Sequence, residues 1–183
     1  MHYTETAIAG VWIIDVDPSE DERGFFARTW CARELAERGL ETRVAQCAVS
    51  YNRRAGTLRG IHLQAAPHEE VKFVRCTAGA VFDVVVDLRP HSATFGVWTG
   101  IDLSGENRRT LYIPAGCGHG FLTLRDDSEV FYQISAEYAP ESARGVRWDD
   151  PAIGIEWPAP VRVISARDRS YPLLANQPAA SSR

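Results

Sequence analysis

The chain has 183 residues, a formal net charge of −4 and four cysteines that form no CxxC pair. This length suits one domain with its own hydrophobic core, and the scattered cysteines indicate reduced thiols of a cytoplasmic protein. The weak negative charge argues against nucleic acid as the main partner, and no apolar run approaches the roughly 20 residues of a membrane span.

Short strands dominate the predicted elements. Runs rich in Val, Ile, Phe and Tyr, separated by turn residues, predict strands at 11–16, 71–76, 80–88, 97–103, 110–113 and 130–136. Residues 31–38 form the best candidate helix, with Gly39 as its stop. Many short strands at this spacing predict an all-β fold, an antiparallel sandwich or barrel such as a jelly roll, with one or two short helices. We expect one domain over residues 1–173 and a flexible tail over 174–183.

Lys72 is the single lysine of the chain, against 19 arginines. Lysine is a compact charge whose pKa responds to burial, so a lone lysine suggests a task that a guanidinium cannot perform; arginine-rich codon usage explains it equally well. On the following strand, alternation places Asp83 on the same face as Val81 and Val85. Asp83 is then either a buried structural acceptor or part of a site, and an ion pair between Lys72 and Asp83 would neutralise both.

The segment from Leu58 to Gln64 carries a second pair of candidates. In a regular strand, His62 shares a face with Leu58 and Gln64, while Arg59 points the other way. Gly60 must therefore bend or bulge the strand if Arg59 and His62 are to serve one ligand. A histidine inside a barrel is more often a core residue than a catalyst, so the residues around His62 decide between these two roles.

A metal site is the first alternative for these histidines. The segment from Pro114 to His119 has the PxGxxH spacing that resembles the second motif of cupins, where the histidine commonly binds metal. The HxH pair of the first cupin motif is replaced by His62-Leu63-Gln64, which leaves few firm metal ligands. We therefore expect a metal-free cupin barrel without a cofactor. A metal-dependent oxidoreductase that uses His62, Gln64 and His119 stays open.

Eight motifs in order resemble those of the dTDP-4-dehydrorhamnose 3,5-epimerase family, over roughly residues 8–173. They are DERGFF at 21–26, LRGIHLQ at 58–64, KFVRC at 72–76, FDVVVDLR at 82–89, SATFG at 92–96, HGF at 119–121, WDDP at 148–151 and SARD at 165–168. The resemblance implies a jelly-roll cupin of deoxysugar biosynthesis, a metal-free mechanism, a homodimer with sites shared across its interface, and a nucleoside-diphosphate 4-keto sugar as substrate.

Epimerisation beside a ketone needs a base, a cation that stabilises the enolate, and an acid on the opposite face. His62 suits the base because histidine titrates near neutral pH. The resemblance implies Asp168 as the acid that orients His62, Tyr132 as the proton donor and Lys72 as the cation. Without the resemblance, the position of Tyr132 on a strand is also consistent with an aromatic side chain that packs in the core. Asp83 joins the catalytic set through its expected pair with Lys72.

The resemblance also implies a substrate-binding set. Arg23 and Arg59 match the diphosphate-binding arginines. Phe26, Gln46 and Tyr138 look like base-contacting positions, the first two reaching the neighbouring subunit's site. The rest of the predicted set is Arg28 and His119.

Two departures from the family pattern concern the nucleobase. Arg28 stands where many members carry an acid, and Cys47-Ala48-Val49 replaces an Asp-Asn pair after Gln46. An arginine cannot accept a hydrogen bond from a pyrimidine imide, so CDP- and GDP-linked sugars stay open. Three questions stay open as well: whether C3, C5 or both are epimerised, which final sugar results, and whether the chain is instead a non-catalytic sugar-nucleotide binding module.

Overall fold

The computed structural model describes residues 1–176, which form fourteen short strands and two short helices. The strands are β1 His2–Glu5, β2 Trp12–Asp15, β3 Ser19–Asp21, β4 Gly24–Phe26, β5 Gln46–Asn52, β6 Thr57–Gln64, β7 Lys72–Ala78, β8 Ala80–Asp87, β9 Trp98–Ser104, β10 Thr110–Ile113, β11 Cys117–Thr123, β12 Ser128–Ile134, β13 Ala143–Gly145 and β14 Val163–Ile164. The helices are α1 Ala32–Ala36 and α2 Ala166–Ser170.

Two six-stranded sheets make up the body of the fold. The first has the order β1-β2-β10-β7-β12-β5, and the second β13-β6-β11-β8-β9 with β14 beside β6. All pairings within these sheets are antiparallel apart from that of β14 with β6. Strands β3 and β4 form a separate hairpin. The predicted antiparallel jelly roll with short helices is confirmed.

The main core lies between the two sheets, as alternation along β8 predicts. Val81 and Val85 pack inward with Val74 of β7 and Leu111 of β10, all four fully buried. The opposite face of β8 packs into a second cluster beneath the segment that follows β13. Fully burying such a side chain contributes about 1.5–3 kcal/mol, so the apolar residues on both faces of β8 stabilise the fold.

Most of the predicted boundaries agree with the structure. The six predicted strands occur with ends shifted by one or two residues, and the candidate helix is shorter than expected, ending at Ala36 before Gly39 adopts a left-handed conformation. Strand β5 was not predicted, because its sequence QCAVSYN mixes polar and apolar residues at an exposed sheet edge. No helix in residues 1–176 is long and apolar enough to cross a membrane.

The expected flexible tail begins with an ordered turn. Leu174–Asn176 form a 3-10 turn in which the Leu174 amide donates to Asp150 Oδ2 at 2.5 Å. Residues 177–183 of the expected tail lie outside the described residues.

All four cysteines are free thiols. Burial raises the pKa of Cys76 to about 11 and that of Cys117 to about 12, so these two thiols stay protonated at neutral pH.

Candidate active site

A cavity of about 690 Å³ lies between the sheets, bounded by β5, β6, β7, β11, β12 and α2. Eight of the twelve predicted site residues line this cavity: Gln46, Arg59, His62, Lys72, His119, Tyr132, Tyr138 and Asp168. The other four, Arg23, Phe26, Arg28 and Asp83, lie outside its lining.

Gly60 breaks the regularity of β6, as expected. The register between β6 and β11 shifts between His119 and Phe121, and Gly60 has a φ of +137°. A Cβ atom at Gly60 would approach Gly120 Cα to 2.5 Å, so only glycine fits here. The irregular backbone brings both Arg59 and His62 to the cavity. Ile61, which lies between them in the sequence, is buried in the second hydrophobic cluster, on the opposite face of β8 from the main core.

His62 and Asp168 form a close pair at the cavity wall. The His62 Nε2 atom lies 2.7 Å from Asp168 Oδ1, and the Gly60 amide donates to Asp168 Oδ2 at 3.4 Å. Burial alone would raise the pKa of Asp168, but the hydrogen bond and charge of His62 outweigh it and hold this pKa below its ordinary value. An ionised Asp168 favours a proton on Nε2 of His62, which leaves Nδ1 as the basic nitrogen.

Helix α2 fixes the position of Asp168. Ser165 precedes the helix, and its side chain accepts a hydrogen bond from the Asp168 amide at 3.0 Å. This N-cap bond starts the helix and places the nearly buried Asp168 carboxylate next to β6. The side chain that orients His62 is therefore itself anchored through its backbone.

Tyr132 of β12 contributes a protonated phenol to the cavity. Its ring packs edge-on against His119, with centroids 5.9 Å apart. Burial and the Asp83 carboxylate raise the pKa of Tyr132, and Arg59 opposes them only in part. Within residues 1–176, the Tyr132 hydroxyl has no hydrogen-bond partner, so its proton is available to a ligand.

The predicted ion pair between Lys72 and Asp83 is wrong. Lys72 Nζ lies 2.9 Å from Glu70 Oε1 and 3.4 Å from the His62 carbonyl oxygen, and the Lys72 and Glu70 side chains are each 10% exposed. Glu70 sits just before β7, so it reaches the ammonium more directly than a residue of the opposite sheet. Both Lys72 and Glu70 line the cavity.

Asp83 instead pairs with His119 beneath the cavity. Both Asp83 carboxylate oxygens lie 3.0 Å from His119 Nε2, and Asp83 is fully buried. Burial raises the pKa of Asp83, although His119 and the charge of Lys72 oppose the shift. Asp83 therefore contacts the cavity only through His119, whose ring it orients.

Comparison with known proteins agrees with this geometry. Residues 5–176 match the family model described as dTDP-4-dehydrorhamnose 3,5-epimerase. The chain belongs to this family. A dTDP-4-dehydrorhamnose 3,5-epimerase from Methanothermobacter thermautotrophicus is 43% identical over 96% of this chain and 96% of its own, and a dTDP-4-dehydrorhamnose 3-epimerase from Streptomyces niveus is 40% identical over 96% and 84%.

A solved structure extends the similarity to the fold. The dTDP-6-deoxy-D-glucose-3,5-epimerase of Legionella pneumophila Philadelphia 1, in complex with dTDP-4-keto-L-rhamnose, is 38% identical with a TM-score of 0.91, over 97% of this chain and 95% of its own. The architecture is thus the cupin-like jelly roll of this epimerase family. The predicted family and enzyme class are confirmed: the protein is an isomerase that epimerises nucleotide-linked 4-keto-6-deoxy sugars.

The three side chains of the alternative metal site, His62, Gln64 and His119, all have other partners in the structure. His62 and His119 each contact a carboxylate. The Gln64 amide donates to the His68 and Glu137 carbonyl oxygens and accepts from the Ala139 amide. Among residues 1–176, no group of three or more His, Cys, Asp or Glu side chains is arranged to hold a metal ion. The epimerase relatives give this alternative no support.

Three predicted binding residues lie on or next to the exposed β3–β4 hairpin. Arg23 is 84% exposed and pairs with Asp21 at 2.5 Å. Phe26 is 80% exposed, and Arg28 pairs with Glu34 at 2.9 Å. None of the three reaches the cavity of its own chain.

Gln46 lies at the cavity of its own chain. Its expected reach to the site of a neighbouring subunit stays a prediction. In the structure it lines the cavity of its own chain, and its side-chain oxygen accepts a hydrogen bond from the Tyr138 amide at 3.3 Å. Gln46 can therefore help to position the backbone of Tyr138 from within one subunit.

Sequence reasoning missed three residues at or beside the family site. Glu70 and Arg167 line the cavity, and the ring of Tyr171 lies beside the His62 imidazole in a tilted arrangement. Arg167 belongs to the SARD motif, which indicated that it lies near Asp168 but did not indicate what it contacts. Tyr171 stood at the start of a polar tail, where no periodicity marks a packed aromatic ring.

Proposed function

We propose that His62 removes the hydrogen next to the C4 ketone of a dTDP-linked 4-keto-6-deoxy sugar. The observation that carries this proposal is the 2.7 Å contact between His62 Nε2 and Asp168 Oδ1 at the wall of the cavity. The carboxylate favours the tautomer with a free Nδ1 and stabilises the imidazolium that forms when Nδ1 takes the proton. The proton removed leaves an enolate at C4.

Lys72 is the cation that balances this enolate. Its ammonium lies at the cavity and is already compensated by Glu70 at 2.9 Å, so its charge is held there at a moderate desolvation cost. A second group, His119, lines the same wall and is oriented by the buried Asp83. We assign Asp83 to positioning, because it reaches a ligand only through His119.

Tyr132 returns the proton from the face opposite His62. Its raised pKa keeps the phenol protonated at neutral pH, which is the state a proton donor needs. Transfer of the phenolic proton of Tyr132 to the carbanion carbon inverts the centre; the tyrosinate that forms takes a proton from solvent, and the imidazolium of His62 releases to solvent the proton that it removed. Removal and return from opposite faces is what distinguishes epimerisation from simple exchange.

The nucleotide is bound at the mouth of the cavity. Arg59 is held by a 2.8 Å hydrogen bond from its Nε to Asn52 Oδ1, which leaves its terminal nitrogens for a diphosphate. Tyr138 is 55% exposed at the same mouth and offers its ring to the base. The thymidine nucleotides of the relatives make dTDP the first choice, and CDP- and GDP-linked sugars are the competitors to compare.

We further propose a homodimer in which the hairpin of one subunit completes the cavity of the other. Among residues 1–176, strand β5 is an edge strand of the first sheet with exposed Val49 and Tyr51, and Phe26 at the end of the hairpin is also exposed. An exposed edge strand with apolar side chains is usually covered by a partner. Arg23 would then bind the diphosphate in the partner's cavity.

Mixed dimers test this arrangement. Arg23→Ala and His62→Ala chains are expected to be inactive alone, whereas a mixed dimer holds one cavity with both residues intact. Activity that reappears on mixing supports shared sites. A monomeric chain in sedimentation, or no recovery in mixed dimers, contradicts them.

Solvent exchange tests the reaction and its regiochemistry. A dTDP-linked 4-keto-6-deoxy sugar incubated with the enzyme in D2O is expected to gain deuterium at C3 and C5, read by proton NMR. Deuterium at a single carbon would identify a mono-epimerase, as in the Streptomyces niveus 3-epimerase. No deuterium at either carbon would contradict the proposed function.

A further inference from the structure

The ring of Tyr171 lies next to the imidazole of His62, in addition to the contact that Asp168 makes with Nε2. The two ring centroids are 5.6 Å apart and the ring planes are inclined by 59°. Tyr171 directly follows α2, the same helix that carries Asp168. Helix α2 and the residue that follows it therefore supply two separate contacts to His62, one to its Nε2 atom and one to its ring.

The Tyr171 ring is itself held on two sides. Arg167 Nε donates to the Tyr171 hydroxyl at 2.8 Å, and the Arg167 guanidinium carbon lies 5.7 Å from the ring centroid. On the other side the ring packs on Gly145 of β13, where an added Cβ would lie only 2.8 Å from two ring carbons. Gly145 is also the β-sheet partner of His62. The ring is thus enclosed between the helix and the strand beside His62.

The Asp168 bond alone does not fix the imidazole. The His62 side chain is 39% exposed, and the terminal torsion of histidine has a broad energy minimum. A single hydrogen bond to Nε2 restrains the ring at one atom only, so small changes in this torsion and in the Cα–Cβ torsion can still move Nδ1 relative to the substrate. A ring packed beside the imidazole limits this freedom, since a second contact restricts the orientations that the hydrogen bond alone permits.

Arg167 links this support to the nucleotide end of the cavity. It lines the cavity and interacts with the side chains of both Tyr138 and Tyr171, which raise the pKa of its guanidinium. Arg167 therefore connects Tyr171 to Tyr138, the residue at which the base is proposed to bind.

We infer that Tyr171, braced by Arg167 and packed on Gly145, is a positioning residue that fixes the imidazole of His62 for proton removal. The inference rests on the proposed role of His62 as the base. It assigns the ring of Tyr171, rather than its hydroxyl, as the acting group, because the ring faces His62 and the hydroxyl faces Arg167.

Two substitutions at Tyr171 separate the ring from the hydroxyl. Tyr171→Leu removes the ring and is expected to lower kcat for deuterium exchange about 10- to 100-fold with KM within about threefold, since misplacing a reacting group by about 1 Å costs up to that factor. Tyr171→Phe keeps the ring and is expected to recover most of this loss. Circular dichroism and thermal unfolding of each variant report whether the fold is kept.

A spectroscopic measurement follows the imidazole directly. The ¹⁵N resonances of His62 and their pH titration are expected to change in Tyr171→Leu and to resemble wild type in Tyr171→Phe. Arg167→Gln removes the brace at the cavity surface and is expected to shift the same resonances, so the inference stays testable if Tyr171→Leu fails to fold. Unchanged His62 resonances in all folded variants would overturn it, and so would equal kcat losses in Tyr171→Leu and Tyr171→Phe.

Failure of this inference can be told apart from failure of the proposed function. If His62→Ala abolishes exchange while Tyr171→Leu exchanges like wild type, only the role of Tyr171 is refuted. If His62→Ala itself exchanges like wild type, the proposed base is wrong whatever Tyr171 does.

Discussion

Asp168→Asn is the substitution that most sharply separates orientation of His62 from the chemistry of His62. The side chain keeps its shape, and its backbone bond to Ser165 at the start of α2 is untouched. What it loses is the charge that faces Nε2 of His62 at 2.7 Å. An amide can also donate its own N–H to Nε2, which would place the histidine proton on Nδ1.

The size of the effect follows from this contact. A hydrogen bond to a charged group contributes about 1.5–3 kcal/mol, and each 1.36 kcal/mol in the barrier is tenfold in rate. Loss of the charge alone therefore slows proton removal about 10- to 100-fold. Inversion of the tautomer removes the lone pair from the reacting nitrogen and slows it further, toward the roughly 10⁴-fold known for an aspartate-to-asparagine change in a serine-protease triad.

The assay is the initial rate of deuterium incorporation into a dTDP-linked 4-keto-6-deoxy sugar, with thermal unfolding measured in parallel. Asp149→Asn is a matched control, because Asp149 is an aspartate paired with Arg147 that does not line the main cavity. We expect Asp149→Asn to exchange like wild type and Asp168→Asn to be at least tenfold slower. A rate for Asp168→Asn within about twofold of wild type would refute the tautomer argument.

Three further changes test other parts of the account. Tyr132→Phe should slow formation of the inverted product about 10²-fold or more while His62-dependent exchange at the same carbon persists, and inverted product at the wild-type rate would exclude Tyr132 as the donor. Glu70→Gln should destabilise the fold by about 2 kcal/mol in denaturant unfolding, because it leaves a nearly buried ammonium uncompensated, whereas exposed Glu69→Gln should have no effect. Asp87, at the end of β8, is fully buried and accepts hydrogen bonds from Arg89, Ser92 and Thr94, so Asp87→Asn should cost about 2–3 kcal/mol at pH 7. Burial would raise the pKa of Asp87, but its arginine and hydroxyl donors lower it overall, so the stability gap between wild type and variant should close as the pH falls below about 4; a gap independent of pH would contradict this.

The strands that could be predicted are those whose burial follows from the local pattern of apolar and polar side chains. Residues 80–88 show an apolar side chain at nearly every position, and the structure buries both faces of that strand. Strand β5 could not be found in this way, because Ser50 and Asn52 interrupt its apolar pattern and its ladder is completed by β12, far away in the chain. Gly60 marked a break in β6 correctly, since only a glycine permits the close approach to Gly120.

The site was predictable as a set of residues but not as a set of contacts. Motifs identified His62, Lys72 and Asp168, which all line one cavity. Alternation placed Asp83 on the inner face, yet it could not say that His119 lies closer to it than Lys72 does. Partners on different strands depend on barrel curvature and stagger, which the order of residues does not reveal.

The most direct test of the central claim is the rate of deuterium incorporation at C3 and C5 in His62→Ala compared with wild type. His91→Ala, at an exposed position outside the cavity, serves as the matched control. If His62 is the base, exchange at each carbon that wild type labels falls at least about 10³-fold in His62→Ala and stays normal in His91→Ala. Exchange by folded His62→Ala at the wild-type rate would contradict the account.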